Sequence, residues 1–125
     1  MPDTTTPFVS PADALPANDV KAGTATNMQV LVGPDTGAPN FALRRFRMGA
    51  GGGMPLHTNE VENEQYVLRG RALIRIGNDV HEVAPDTTLY IPAGVPHSYE
   101  VLEAPFEFLC VVPNRPDRIT LVEGC

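Results

Sequence analysis

Residues 86–97 read "DTTLYIPAGVPH" (Asp86–His97). The run Thr88–Ile91 is β-branched and aromatic, and a Pro-x-Gly break follows it at Pro92 and Gly94. Such a break ends one extended run and turns the chain toward the next. The next run starts at His97 and reaches Val101, so alternation puts His97 and Tyr99 on one face of a strand. What else shares that face decides what the two side chains can do.

The same punctuation continues in both directions. Thirteen prolines and eleven glycines cut the 125 residues into short runs rich in Val, Ile, Leu, Phe and Tyr. No segment of helical length carries a clean apolar period of 3.6, so the chain reads as all-β. Strands are expected at Met28–Val32, Phe41–Met48, Gln65–Leu68, Ala72–Ile76, Val80–Val83, Thr88–Ile91, His97–Val101 and Phe106–Val112. "IGNDV" (Ile76–Val80) reads as a tight hairpin turn, and "PDTGAPN" (Pro34–Asn40) as a loop. Residues 1–20 are rich in Thr, Pro, Ala and Asp without periodicity, and are expected to form a flexible or dimer-exchanging arm. Within it, "TPFVS" (Thr6–Ser10) is an edge-strand candidate for this chain or a partner. Residues 21–125 then form one domain, since this length supports one hydrophobic core.

The bulk numbers exclude several functions. A net charge of −6 and a pI near 4.9 argue against nucleic-acid binding, which calls for a basic patch. No apolar run reaches membrane-spanning length, and the opening "MPDTTTPFVSPADALPANDV" does not read as a secretion signal. Cys110 and Cys125 make no disulfide framework; Cys110 lies in "FEFLCVV" as a small buried hydrophobe, and Cys125 is the last residue. These features favour a soluble, cytoplasmic protein. "GAGGGM" (Gly49–Met54) lacks a following helix and a Lys-Ser/Thr, so it reads as a turn and not as a phosphate loop. His81 reads as a surface strand residue.

Two stretches, Gly51–Gly70 and Asp86–His97, together resemble the cupin family. Gly51, His57 and Gly70 match a first motif of glycine, five residues, His-x-His, three or four residues, Glu, six residues and glycine. Pro92, Gly94 and His97 match a second of glycine, five residues, Pro-x-Gly, two residues, His, three residues and Asn. The resemblance covers most of the chain and implies a cupin jelly-roll β-barrel (a double-stranded β-helix), acting as a metal-dependent oxygenase, isomerase or lyase and pairing as a homodimer. It further implies a divalent transition metal (Zn, Mn, Fe, Ni or Cu) held at the positions of His57, Asn59, Asn63 and His97. The departures fall on the inner ligands. The second histidine position is Asn59, the glutamate position is Asn63, the second motif's glycine is Asp86 and its closing Asn is Val101.

Imidazole suits transition metals, whereas a neutral amide oxygen suits harder cations. A site of two His and two Asn brings no negative charge, so a metal is expected to be weakly or partly bound, or absent. Alternation places His57, Asn59, Asn63, Gln65 and Val67 on one inward face if no bulge intervenes. Tyr99 joins His57 and His97 as a candidate catalytic group. Arg45, Arg47 and Gln65 are candidates for the substrate pocket, the arginines as partners for a ligand carboxylate. The expected partner is a small, partly polar molecule, with no nucleic acid and no membrane. Two other readings stand beside the metal enzyme. One is a metal-independent enzyme with His57 or His97 as general acid or base; the other is a non-catalytic binding module.

Overall fold

Strand β4 (Asn63–Ile76) shows how the sequence builds the barrel. It buries Asn63, Gln65 and Val67, then Ala72 and Ile74, so the buried parity changes from odd to even partway along. Register shifts against its neighbour between Val67 and Ala72 account for the change. One extra residue in a strand moves every later side chain to the other face. Strand β7 (His97–Pro113) behaves alike, burying His97 and Tyr99 and then Phe106, Phe108, Cys110 and Val112. Strand β3 (Phe41–Thr58) buries Ala42, Met48 and Met54, then His57. Each long strand bends between the two walls of the barrel.

The computed structural model describes residues 3–122, and Cys125 lies outside the described residues. The remaining strands are β1 (Ala17–Asp19), β2 (Thr24–Val32), β5 (Asp79–Val83), β6 (Thr88–Ile91) and β8 (Thr120–Leu121). All pairings are antiparallel, in the order β1-β2-β3-β7-β4-β5, with β6 on β4 and β8 on β3. The architecture is an all-β jelly-roll barrel. Its core joins Met48, Met54, Val67, Ile74, Tyr99, Phe106 and Phe108 from the inner faces. Among the described residues no helix is long and apolar enough to cross a membrane.

Two pairs of expected strands are single long ones. The breaks expected at Arg69–Arg71 and Leu102–Pro105 are bends within β4 and β7. Gly49–Met54, expected as a turn, lies within β3, where the ladder to β7 skips from Met48 to Gly53. Gly53 allows the two walls to meet: its φ is +153°, and a Cβ there would stand 2.1 Å from the Tyr99 carbonyl oxygen. The hairpin at Gly77-Asn78 joins Ile76 to Asp79 as expected. Asp86, standing at a motif glycine, takes φ +69°, and the Tyr66 hydroxyl donates to its carboxylate.

The arm's edge strand is Ala17–Asp19, on β2, and Thr6–Ser10 forms no strand. Residues ahead of it are tied to the outer face. The Gln29 amide donates to the carbonyls of Ala12 and Leu15 at 2.9 and 3.1 Å.

Candidate functional site

His57 ends β3 and His97 begins β7, and the two are directly opposite in the ladder. Their ring centroids lie 4.2 Å apart at 52°. His57 is 3% exposed and His97 2%. Each ring is oriented by its own turn. The Nδ1 of His57 meets the Pro55 carbonyl at 2.8 Å, and that of His97 meets the Val95 carbonyl at 2.9 Å. A carbonyl only accepts, so each Nδ1 carries the proton and each Nε2 is left as an acceptor. Burial pushes the His57 pKa down and that of His97 down to about 4, with the second imidazole adding to the effect on His97. Both are therefore neutral at pH 7.

The rings open onto a cavity of about 60 Å³, within a hollow of about 440 Å³ that includes open solvent. Tyr99, Phe46, Phe108, Met48 and Met54 supply apolar wall. Phe46 and Phe108 are stacked 5.0 Å apart, and Tyr99 and Phe108 5.3 Å. The Gln65 amide donates to the Tyr99 hydroxyl at 2.7 Å, which gives this buried amide the partner its inward position requires. Burial pushes the Tyr99 phenol well above its ordinary pKa, so it stays protonated and its own hydrogen is available to a ligand. Gln65 Oε1 is buried without a partner among the described residues.

The two asparagines separate. Asn63 is buried, and its Oδ1 accepts from the Cys110 thiol at 3.1 Å and from Arg44 at 3.4 Å. Asn59 lies past the end of β3, at the mouth, and its amide donates to Asp117 at 3.0 Å. Asp117 also accepts the Glu60 backbone N–H at 2.7 Å. Asn59 lines the cavity as expected, but its direction is corrected: the strand stops before it, and its amide is turned to Asp117.

Arg45 and Arg47 are corrected as well. Inward positions of this part of β3 are Ala42, Arg44, Phe46 and Met48, so the cavity receives Arg44. Arg45 stands on the outer face, donating to Gln29 at 2.9 Å and pairing with Asp13 at 3.6 Å. Arg47 pairs there with Glu107 at 3.3 Å. The parity was readable from the apolar pair Phe46 and Met48. Asp117 and Ile119, which line the mouth, follow the last long strand and carry no signal in the sequence. His81 is exposed, as its lack of context implies.

The donor set can be tested against the metal the resemblance implies. Two neutral imidazole nitrogens suit half of a transition-metal site. The other half does not follow. The Asn59 amide is turned to Asp117, the Asn63 oxygen is occupied, and the Arg44 cation lines the same cavity. Among the described residues no three His, Cys, Asp or Glu side chains converge. These residues do not fit a resident transition metal.

Comparisons with known proteins agree with this architecture. A family model for the cupin domain matches residues 44–112. The polyketide cyclase RemF from Streptomyces resistomycificus is similar in structure, with 26% identity and a TM-score of 0.84, over 94% of this chain and 88% of that one. The cupin-2 domain Rru_A2000 from Rhodospirillum rubrum gives 23% identity and a TM-score of 0.78, over 98% and 84%. A predicted oxalate decarboxylase (tm1287) from Thermotoga maritima gives 19% and 0.73, over 85% and 98%. No curated protein matches the chain.

Proposed function

The chain belongs to the cupin domain family, and from that premise we propose that its cavity binds a small, partly polar organic molecule, on which His57 and His97 act by proton transfer. The observation that carries this reading is the pair of imidazoles 4.2 Å apart on adjacent strands, each with its Nδ1 held by a carbonyl and its Nε2 left as an acceptor. A neutral imidazole can take a proton from carbon or oxygen and return it, an effect worth roughly 10²–10⁴-fold in rate. The protonated Tyr99 hydroxyl, fixed by Gln65, is placed to donate to an oxygen on which charge develops. An acceptor pair beside such a donor suits proton abstraction next to a carbonyl. Among the structurally similar proteins is one named a polyketide cyclase, and ring closure is a reaction that such groups would serve.

The test is solvent deuterium exchange into a simple 1,3-diketone, followed by NMR, for the wild type and for His57→Gln and His97→Gln. The expected outcome is exchange well above buffer, reduced about 100-fold or more in each variant. Exchange at the buffer rate, or untouched by both substitutions, sinks the catalytic reading. Ligand binding without exchange would leave a binding module. Metal analysis of protein purified without added metal tests the conclusion that these residues do not fit a resident transition metal.

The same reading includes a homodimer. Phe8 and Val9 are 41% and 95% exposed, beside a groove lined with Leu15, Leu31, Val32 and Leu43. A second copy covering them would remove this apolar surface from water.

A further inference from the structure

The arginines of this chain are mostly matched to acids. Arg45 pairs with Asp13, Arg47 and Arg69 with Glu107, Arg71 with Glu82, and Arg118 with Glu60. The exposed Arg75 reaches the Gly77 carbonyl, and Arg115 faces solvent. Arg44 is the exception. It is half-buried in the cavity wall, and among the described residues no carboxylate meets it. Its guanidinium has only long contacts with neutral groups, the Asn63 oxygen at 3.4 Å and the Cys110 sulfur at 3.5 Å. Its Nε is fully buried and has no partner among the described residues. The Phe46 ring lies 5.2 Å from the guanidinium carbon.

A cation withdrawn from water without a counter-charge is costly, and chains seldom leave one so unless something else completes the pair. The rest of the cavity does nothing to neutralise it. Asn63 and Gln65 are neutral amides, and the Nδ1 atoms of His57 and His97 are taken by backbone carbonyls. Asp117 is the one acid in the lining; it sits at the mouth, already accepting from Asn59 and Glu60. The interior therefore presents one positive charge to whatever enters.

We propose that the ligand of this cavity is a small, flat organic anion, a carboxylate or an enolate on a conjugated skeleton, with its charged oxygens received by Arg44. The planar guanidinium fork matches a carboxylate or a delocalised enolate in shape as well as charge. The conjugated body fits the wall of Phe46, Phe108, Tyr99, Met48 and Met54, and an interior space of about 60 Å³ limits it to a compact molecule. This inference rests on the reading of the cavity as a ligand site, and it names the class of ligand.

The test is an NMR titration at pH 7 and matched ionic strength, with sodium benzoate and with its neutral isostere benzamide. The imidazole signals of His57 and His97 report entry into the cavity. Wild type is expected to bind benzoate roughly tenfold or more tightly than benzamide, as a charged hydrogen bond predicts. Arg44→Gln is expected to bring the ratio near one, and Arg44→Lys, which keeps charge but loses the fork, to an intermediate value. Thermal melting checks that each variant folds, and Arg44→Lys against wild type decides the matter if Arg44→Gln does not. A wild-type ratio near one, or a ratio that either folded variant leaves unchanged, overturns the role of Arg44. If both probes move the imidazole signals equally, the cavity remains a ligand site and only the anion preference falls. If neither moves them, the ligand-site reading falls too.

Discussion

His97 carries a consequence for stability that follows from its burial. Its folded pKa of about 4 lies below the ordinary 6.5. Between those values the unfolded chain holds a proton that the folded chain does not, so stability rises with pH across that window. The contribution is complete above pH 6.5 and is lost as the pH falls toward 4. At about 1.4 kcal/mol per unit it amounts to about 3 kcal/mol. Urea midpoints of wild type should fall more steeply over this window than those of His97→Gln, and parallel slopes would mean that the imidazole is not held neutral. The asparagines give a second residue-scale prediction. Asn59→His with Asn63→His adds two imidazoles near the existing pair, and zinc affinity by calorimetry should rise by at least about tenfold. A wild type that already holds stoichiometric zinc against a mild chelator would contradict the donor-set argument. At this scale much of the site was legible. His57, His97, Tyr99, Gln65 and Asn63 reach the cavity as alternation requires. Arg45 and Arg47 were expected in the pocket in place of Arg44, although the apolar pair Phe46 and Met48 marks the other parity as the inner face. Asp117 was invisible because its place depends on where the tail crosses the barrel.

The elements were legible in kind and less so in extent. Period-two runs located every long strand, but they broke β4 and β7 where the backbone only bends. A bulge hides itself in a sequence, since it looks like the end of one alternation and the start of another. Glycines around the β3 bend turn this into a prediction. Gly51 has φ +72° and open space where a Cβ would point, whereas a Cβ on Gly53 would meet the Tyr99 carbonyl. Gly51→Ala should cost only the left-handed backbone term, about 1–2 kcal/mol. Gly53→Ala should cost distinctly more, by forcing β3 from β7 next to Tyr99, and should disturb the His57 and His97 signals. Equal urea midpoints for the two variants would show that the strands separate there without penalty.

For the whole molecule, the open question of assembly turns on Phe8 and Val9. Replacing both by serine leaves the Gln29 and Arg45 ties to residues 12–15 in place. Light scattering should then give the mass of two chains for wild type and of one chain for the double variant. A wild type that is monomeric at micromolar concentration, or a variant that remains dimeric, removes the arm from the interface. The tail, by contrast, closes on the site itself. Leu121 pairs with His57, and the Val122 N–H donates to the Leu56 carbonyl at 2.9 Å. The two ends of the chain are therefore unequal as laboratory handles. A purification tag fused behind Val122 hangs from the strand that borders His57, and one fused ahead of Asp3 extends the arm that carries the exposed Phe8 and Val9. A fusion that loses activity reports on the first junction, and one that changes mass reports on the second, so each assay needs its handle at the opposite end.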